Sequence, residues 1–583
     1  MRRTLDGPMV FGNTWMMSVD GTASRPWWAS GVIWTRVAST GLLLVGLGLY
    51  GANLTTEQIS LPLVPLVVDP ALPVSSVLPI RQGALAGQNL LLVTIDTTRP
   101  DRLGFYGNTD IATPNLDRLA ARSAVFTHAL ATAPTTLPSH ASILTGRYPH
   151  HHGVRTNGLP PLEPDQTTLA EILSEHGYET AAFVSSFILE KQFGLAQGFT
   201  RYDDETHDEA AVMGYSERRA DRTTDRALEW LRASRERPFF LWVHYYDPHA
   251  SYAPPEPFEE TSANSYDGEL AFIDQQVGRL LHGVTASSDQ DALVVVTSDH
   301  GESFGEHEEQ SHGFLVQEAT LKIPLIITTT GGLAVPVRID NLASQVDLMP
   351  TVLSLLGLPV PDGIDGVDLT EARKSPRAVV AETHYGETVY GWARLAAIYK
   401  GNFKYVDGPN PEFYDLAKDP AEQHNLFAQR GEEAHSLRRQ LIEIRGQDAD
   451  TLRASPMELD RKSIERLESL GYVAPAPWAR TGSRAGPDPS RMVATLTEML
   501  LLATGLEHGH EAPAWTRPIL IALGKDLPRD EHELLAAYEE FAMAEPDFAP
   551  VYSQLEWLYK RSGRMGDAAA SRQRFEQLVR PGP

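Results

Sequence analysis

The chain has 583 residues, too many for one ordinary domain, so a large catalytic unit with at least one smaller module is expected. Its formal net charge of −26 argues against a nucleic-acid partner, because phosphate backbones need clustered Lys and Arg. It contains no cysteine, which excludes disulfides, thiolate metal sites and a cysteine nucleophile.

In chain order, residues 1–55 read as a leader carrying a membrane anchor or signal segment. Val37 to Ala52 is an uncharged Leu/Gly run preceded by Arg2, Arg3, Arg25 and Arg36 and followed by Glu57. That charge bias predicts a cytoplasmic N-terminus and a body exported to the periplasmic or extracellular face. The run is shorter than the roughly 20 residues of a standard span, so a buried helix remains an alternative. Residues 56–86 hold Pro62, Pro65, Pro70, Pro73 and Pro79, which forbid a long helix and predict an extended linker.

Residues 87–445 read as the catalytic domain. Asn89 to Ile95, Pro238 to His244, Ala292 to Ser298 and Pro324 to Thr328 are apolar, β-leaning runs. Helical patterns at Asn115 to Ser123, Thr168 to His176 and Ala220 to Ala233 fall between them, so an α/β domain with a mostly parallel sheet is predicted. Asp96, Asp247 and Asp299 then stand at the carboxyl ends of strands, where open α/β sheets bind ligands. From 376 to 445 the pattern changes to short strands, the signature of a small α+β subdomain. Residues 446–490 read as a linker, Pro/Gly/Arg-rich from Ala474 to Pro489. Residues 491–583 are expected to be all-α. There, Glu545 to Tyr552 with Leu555, Tyr559, Gly563 and Ala568 resembles one tetratricopeptide repeat. Both a protein-partner module and a plain helical cap fit that tail.

The chemistry concentrates at Asp96, Thr136, Asp299 and His300. Two carboxylates, a hydroxyl and an imidazole make an oxygen and nitrogen ligand set that suits zinc or manganese better than calcium. A metal on the Thr136 oxygen would lower its pKa and turn it into a nucleophile. A threonine at a helix start also serves as an N-cap, and the two roles can coexist.

Thr136-Leu137-Pro138-Ser139-His140-Ala141-Ser142-Ile143-Leu144-Thr145-Gly146-Arg147 resembles the sulfatase signature C/S-x-P-S-R-x-x-x-x-T-G-R. It departs at Thr136 for Cys and at His140 for Arg. Ile95 to Asp101 is similar to the family's first acidic motif, with Thr97 where calcium-binding members carry a second Asp. Tyr246 to Tyr252 is similar to its "DPHxPY" element, and Ser298 to Gly313 to its "SDHGE..GEH...HG" element. Glu412 to Leu416 and Asp419 to Leu426 resemble its C-terminal "LYDL...DP.E..NL".

The resemblance implies an alkaline-phosphatase-like fold: a mixed, mostly parallel sheet sandwiched by helices. It implies Asp96, Thr136, Asp299 and His300 around one divalent metal. It also implies His249 as a general acid contacting the transferred group, and His312 in place of a catalytic Lys. A second ion at Asp247, His249, His307 and His312 is the alternative. His140 is expected to bind substrate oxygens in place of Arg or to be structural; Thr97 and Arg147 are candidate substrate contacts, with helix-orienting carboxylate pairing as the alternative for Arg147. His150, His151 and His152 are expected on a surface loop, and His244 as a satisfied core histidine.

Sulfatases belong to the alkaline phosphatase superfamily, and the resemblance to its threonine-bearing branches implies phosphodiesterase, phosphonate hydrolase or membrane phospho-group transferase chemistry. The expected activity is therefore hydrolysis of an anionic phosphate or sulfate ester, on a small molecule, glycan or lipid, with phosphodiester chemistry favoured. A sulfatase working without formylglycine, a membrane phospho-group transferase and a catalytically degenerate binding protein are the rivals.

Overall fold

The computed structural model describes residues 68–69, 71–158, 160–206, 218–233, 236–250, 252–372, 376–446, 463, 486–496 and 531–579. The expected leader with its membrane segment and most of the 446–490 linker lie outside the described residues. Among the described residues no helix is long and apolar enough to cross a membrane.

The main sheet is built from β1 (Val74–Ser75), β2 (Asn89–Ile95), β3 (Ala124–Leu130), β4 (Glu179–Phe183), β5 (Arg201–Asp203) and β6 (Phe239–Tyr245). It also contains β7 (Ala292–Ser298), β10 (Lys322–Thr329), β11 (Val337–Ile339) and β12 (Ala343–Ser344), while β8 (Ser303–Phe304) and β9 (Gln310–Ser311) pair separately. Its order is β1-β11-β3-β10-β7-β2-β6-β4-β5, with β12 against β3. Only β10 runs antiparallel to its neighbours β3 and β7, so the sheet is mixed but mostly parallel.

Both faces are buried, as continuous apolar strands require. Alternate residues divide between two cores: Leu90, Leu92, Phe240, Trp242, Leu293 and Val295 face one, and Leu91, Val93, Leu241, Val243, Val294 and Val296 the other. The helix Thr136–Thr145 packs on the first face through Leu137, Ala141 and Leu144. The helices Ala220–Leu231 and Ser265–Ser287 cover the second through Ala227, Leu231, Ile273 and Leu280.

The stretch expected as an extended linker packs onto the domain from Val74 onward. β1 pairs in parallel with β11, and Leu78 and Leu85 are buried in the first core. Pro73 and Pro79 lie outside β1, so neither removes an N–H from its pairing with β11.

The small subdomain is a four-stranded antiparallel sheet, β13 (Ala378–Thr383), β14 (Leu395–Lys400), β15 (Phe403–Asp407) and β16 (Glu412–Asp415), backed by the helix Gly431–Arg445. The tail helices Glu531–Ala544, Ala549–Arg561 and Met565–Val579 follow one another through short turns. They close on Trp392, which is 1% exposed and stacks 6.4 Å from Phe548. Two glycines let backbones touch there. A Cβ on Gly391 would stand 2.9 Å from Val579 Cα, and one on Gly486 2.4 Å from the carbonyl carbon of Trp392. Trp392 packs in turn on Phe314, 5.0 Å away between ring centroids.

Candidate active site

Neighbouring parallel strands β7, β2 and β6 end at one edge of the sheet, and Asp299, Asp96 and Asp247 follow them within two residues. Thr136 comes to the same edge on the helix Thr136–Thr145. The N-cap is Thr135, in extended backbone, so Thr136 is the first helical residue and its hydroxyl is not spent on capping. Its Oγ1 lies 3.5 Å from His300 Nε2, at a helix N-terminus where the peptide dipoles favour negative charge.

His300 Nε2 is also 3.7 Å from Asp96 Oδ1 and 3.5 Å from Asp299 Oδ2. Nδ1 of the same ring donates to the carbonyl of Gly301 at 2.9 Å, which leaves Nε2 as a bare lone pair turned to the carboxylates. Both Asp96 oxygens and Asp299 Oδ2 are buried without a hydrogen-bond partner. Burial and the neighbouring Asp299 charge push the Asp96 carboxyl well above the usual range. Converging lone pairs on two carboxylates, an imidazole and a hydroxyl, all desolvated, are a donor set that a divalent cation satisfies.

His140 does not turn toward this centre as an anion binder. Its Nδ1 donates to the Thr136 carbonyl at 2.8 Å, so Nε2 accepts, and Thr94 Oγ1 stands 3.0 Å from it. Thr94 Oγ1 in turn accepts from Trp242 Nε1 at 3.0 Å. Both ring nitrogens are engaged, and burial lowers the pKa, so His140 is a neutral tie between β2 and the turn that carries Thr136.

His312 and His249 stand on the opposite side. The His312 ring is 4.4 Å from that of His300 and 5.1 Å from that of His249. His312 Nδ1 pairs with Glu302 Oε1 at 2.9 Å, and Tyr252 donates to the other Glu302 oxygen at 2.9 Å. Burial raises Glu302 to about 7 and lowers His312 to about 4 and His249 to about 3. His249 Nδ1 donates to the Ala250 carbonyl at 2.7 Å, leaving a buried Nε2 without a partner.

The alternative second metal group is not assembled. Asp247 Oδ1 accepts from the Ala220 N–H at the start of the helix Ala220–Leu231, and His307 Nε2 lies 3.2 Å from the Ala421 carbonyl. Among the described residues the groups within ligating range are Asp96 with Asp299 and His300, and His140 with His244 and Asp299. The engaged nitrogens of His140 disqualify the latter.

Two expected substrate contacts are placed elsewhere. Thr97 Oγ1 donates to the Pro248 carbonyl at 2.6 Å and its N–H to Asp299 Oδ1 at 3.2 Å, with a left-handed φ of 47°. It fastens the 247–249 loop to the centre. Arg147 lies beyond the helix C-terminus, about 15 Å along the axis from Thr136, and donates to Gln166 Oε1, an amide in place of the expected carboxylate. The three consecutive histidines are packed, not looped on the surface: His150 stacks on Tyr148, His151 meets Asp365, and His152 is buried against Ser142.

Sequence reasoning passed over Glu302 as a partner for His312, although it sits in the quoted motif. It also placed His244 as a satisfied core residue. Strand parity was the available signal: His244 shares the face of Phe240 and Trp242, opposite Thr94 in register with β2.

Residues 88–358 match the family model described as "Sulfatase", and residues 305–447 the one described as "N-sulphoglucosamine sulphohydrolase, C-terminal". The segment 88–447 is therefore similar to the sulfatase family, and it carries the site and the four-stranded sheet. Uncharacterized sulfatase YidJ of Escherichia coli is 26% identical over 416 residues, 58% of this chain and 83% of the relative. Human arylsulfatase A is 28% identical over 426 residues, again 58% and 83%. Among solved structures, the phosphonate monoester hydrolase of Agrobacterium radiobacter superposes with a TM-score of 0.52 at 23% identity, covering 61% of this chain and 95% of that one. The fold is alkaline-phosphatase-like.

Proposed function

We propose that this sulfatase-family protein is a metal-dependent hydrolase of phosphate or sulfate esters with Thr136 as nucleophile, and that phosphoryl transfer is its preferred chemistry. The observation that carries the reading is the Thr136 hydroxyl, free of capping duty at a helix N-terminus and 3.5 Å from the lone pair of His300, beside Asp96 and Asp299, three of whose four carboxylate oxygens lack a hydrogen-bond partner.

Asp96, Asp299, His300 and the Thr136 oxygen would hold a divalent cation, zinc or manganese by donor chemistry, which supplies acidification of the hydroxyl and neutralisation of ester oxygens. Attack by Thr136 Oγ forms the new bond to phosphorus and breaks the bond to the ester oxygen. The hydroxyl proton of Thr136 ends on that leaving oxygen, with His312 as carrier; Glu302 on Nδ1 orients the ring and supports its charged form. His249, with its free Nε2, contacts the transferred group. Water then attacks phosphorus and breaks its bond to Thr136 Oγ, and His312 carries the water's proton to that oxygen, restoring the hydroxyl and the neutral ring.

Thr136 favours phosphorus over sulfur because it lacks the aldehyde chemistry by which formylglycine expels sulfate. A sulfate ester is the second reading, favoured by relatives named as sulfatases, one of them a Delta 4,5-hexuronate-2-O-sulfatase of Bacteroides thetaiotaomicron. A saccharide or lipid ester is the substrate class, met outside the cytoplasm by a body anchored through the 1–55 leader. The all-α tail, tetratricopeptide-like from Glu545, is a candidate surface for a protein partner.

The test is metal analysis of the purified protein with paired assays on an aryl sulfate, a phosphomonoester and a phosphodiester. Phosphoryl turnover with a phosphorylated Thr136 trapped by mass spectrometry is expected. Sulfate turnover alone overturns the phosphoryl preference, and full activity of Thr136→Ala overturns the nucleophile.

A further inference from the structure

Asp96 has imidazoles on both sides, and their partners give them opposite tautomers. On one side His300 donates through Nδ1 to a carbonyl and presents a lone pair to Oδ1. On the other, His244 Nδ1 accepts from the backbone N–H of Ser185 at 3.4 Å. An amide can only donate, so the neutral His244 ring carries its proton on Nε2.

His244 Nε2 lies 3.5 Å from Asp96 Oδ2, and each of these buried atoms lacks a hydrogen-bond partner. A donor and an acceptor thus face one another just beyond an ordinary bond, and closing by about 0.5 Å makes one. The ring is held for this. Its strand pairs in register with β2, His244 opposite Thr94 two residues before Asp96. The Ser185 hydroxyl donates to the His244 carbonyl at 2.6 Å, so Ser185 grips the residue at backbone and ring together. His140 meets it edge-on at 5.0 Å, closing the far side of the ring.

We infer that His244 is a positioning residue of the metal centre: its Nε2–H takes Asp96 Oδ2, fixes the carboxylate plane and leaves Oδ1 for a divalent cation. It is not itself a ligand, because the nitrogen nearest the carboxylate bears the proton. Ligating carboxylates are commonly held by such outer hydrogen bonds, whose removal costs about 10-fold to 100-fold in metal affinity or activity.

This rests on the metal reading above, and the test separates the two. The full chain, stripped by chelator, is titrated with Zn²⁺ and with Mn²⁺ by calorimetry as wild type, His244→Leu and His244→Gln. His244→Leu is expected to bind about 10-fold to 100-fold more weakly with unchanged stoichiometry, and its metal-free form to melt no lower than wild type. His244→Gln, whose side-chain amide can place an N–H where Nε2–H stood, is expected within about threefold of wild type. Native affinity in His244→Leu, or equal losses in both variants, overturns the inference. So does a lost ion per chain, which would make His244 a ligand. A wild type that binds neither ion overturns the metal reading, and this inference with it. Independently of any variant, ¹⁵N-histidine NMR of the wild type is expected to show His244 protonated at Nε2; protonation at Nδ1 overturns the assignment.

Discussion

The edge of the sheet and the seam beneath the tail are both dry, but they are dry for opposite reasons. At the edge, Asp96, Asp299, His244 and His249 bury polar atoms that have no partner within the chain. At the seam, Trp392, Phe314, Phe548 and Leu555 bury apolar surface against one another, and the Trp392 indole N–H is their single polar side-chain atom left without a partner. Unsatisfied polar burial costs stability and is kept where it serves chemistry; apolar burial supplies stability. The difference teaches that activity and stability should be separable by mutation along this boundary.

The sharpest break is at Thr136. Thr136→Ala should lower kcat on the preferred ester by at least about 10⁴-fold with the melting temperature kept, while Thr136→Ser, which retains a hydroxyl, stays far more active. The mirror experiment is Trp392→Ala. Loss of that buried ring should cost about 3–5 kcal/mol in chemical denaturation, and should leave metal stoichiometry intact in the folded fraction.

Acid should weaken the fold through His152, buried behind the Thr136–Thr145 helix. Burial holds His152 neutral, its pKa lowered to about 3, whereas in the unfolded chain it titrates near the ordinary 6.5. The unfolded state therefore binds the extra proton between these values, and the contribution present above 6.5 is lost as pH falls toward 3. Unfolding free energies from urea titration at pH 7 and pH 5 should differ by up to about 2 kcal/mol more in wild type than in His152→Gln.

A smaller effect of unusual sign is expected at Asp96. Asp96→Asn should abolish metal binding yet stabilise the metal-free chain by about 1–2 kcal/mol, read by differential scanning calorimetry. Least of all, Lys322→Met should cost under about 1 kcal/mol and spare activity, because its 4.0 Å pairing with Glu318 is partly exposed.

Much of this was legible in the sequence, for reasons that differ from element to element. β2 and β7 announced themselves because a strand buried on both faces has nothing but apolar residues, and the expected Asn89 to Ile95 and Ala292 to Ser298 are the strands observed. The fold class followed from strand ends, and motif spacing pointed to Asp96, Thr136, Asp299 and His300, whose side chains converge at one edge of the sheet. The antiparallel direction of β10 did not, since an apolar run carries no sign of polarity. His140 was open between binding substrate oxygens, because the signature places an Arg there, and a structural role, which is the one observed. A hydrogen-bond chain through Thr94 and Trp242 is a three-body fact that spacing cannot show. The second metal group failed similarly: Asp247 and His307 are near the others in sequence, but a helix start and the Ala421 carbonyl claim them. The packing of residues 74–86 was hidden because prolines signal only where a helix cannot run.

The two glycines of the seam carry a historical consequence. At Gly391 and Gly486 the fit is backbone against backbone, so a larger residue at either position has no flexible neighbour to push aside. A tail exchanged by recombination would meet this domain at the wrong height unless it brought a matching close approach of its own. A tail of another sequence would seat on this domain only by reproducing both close approaches.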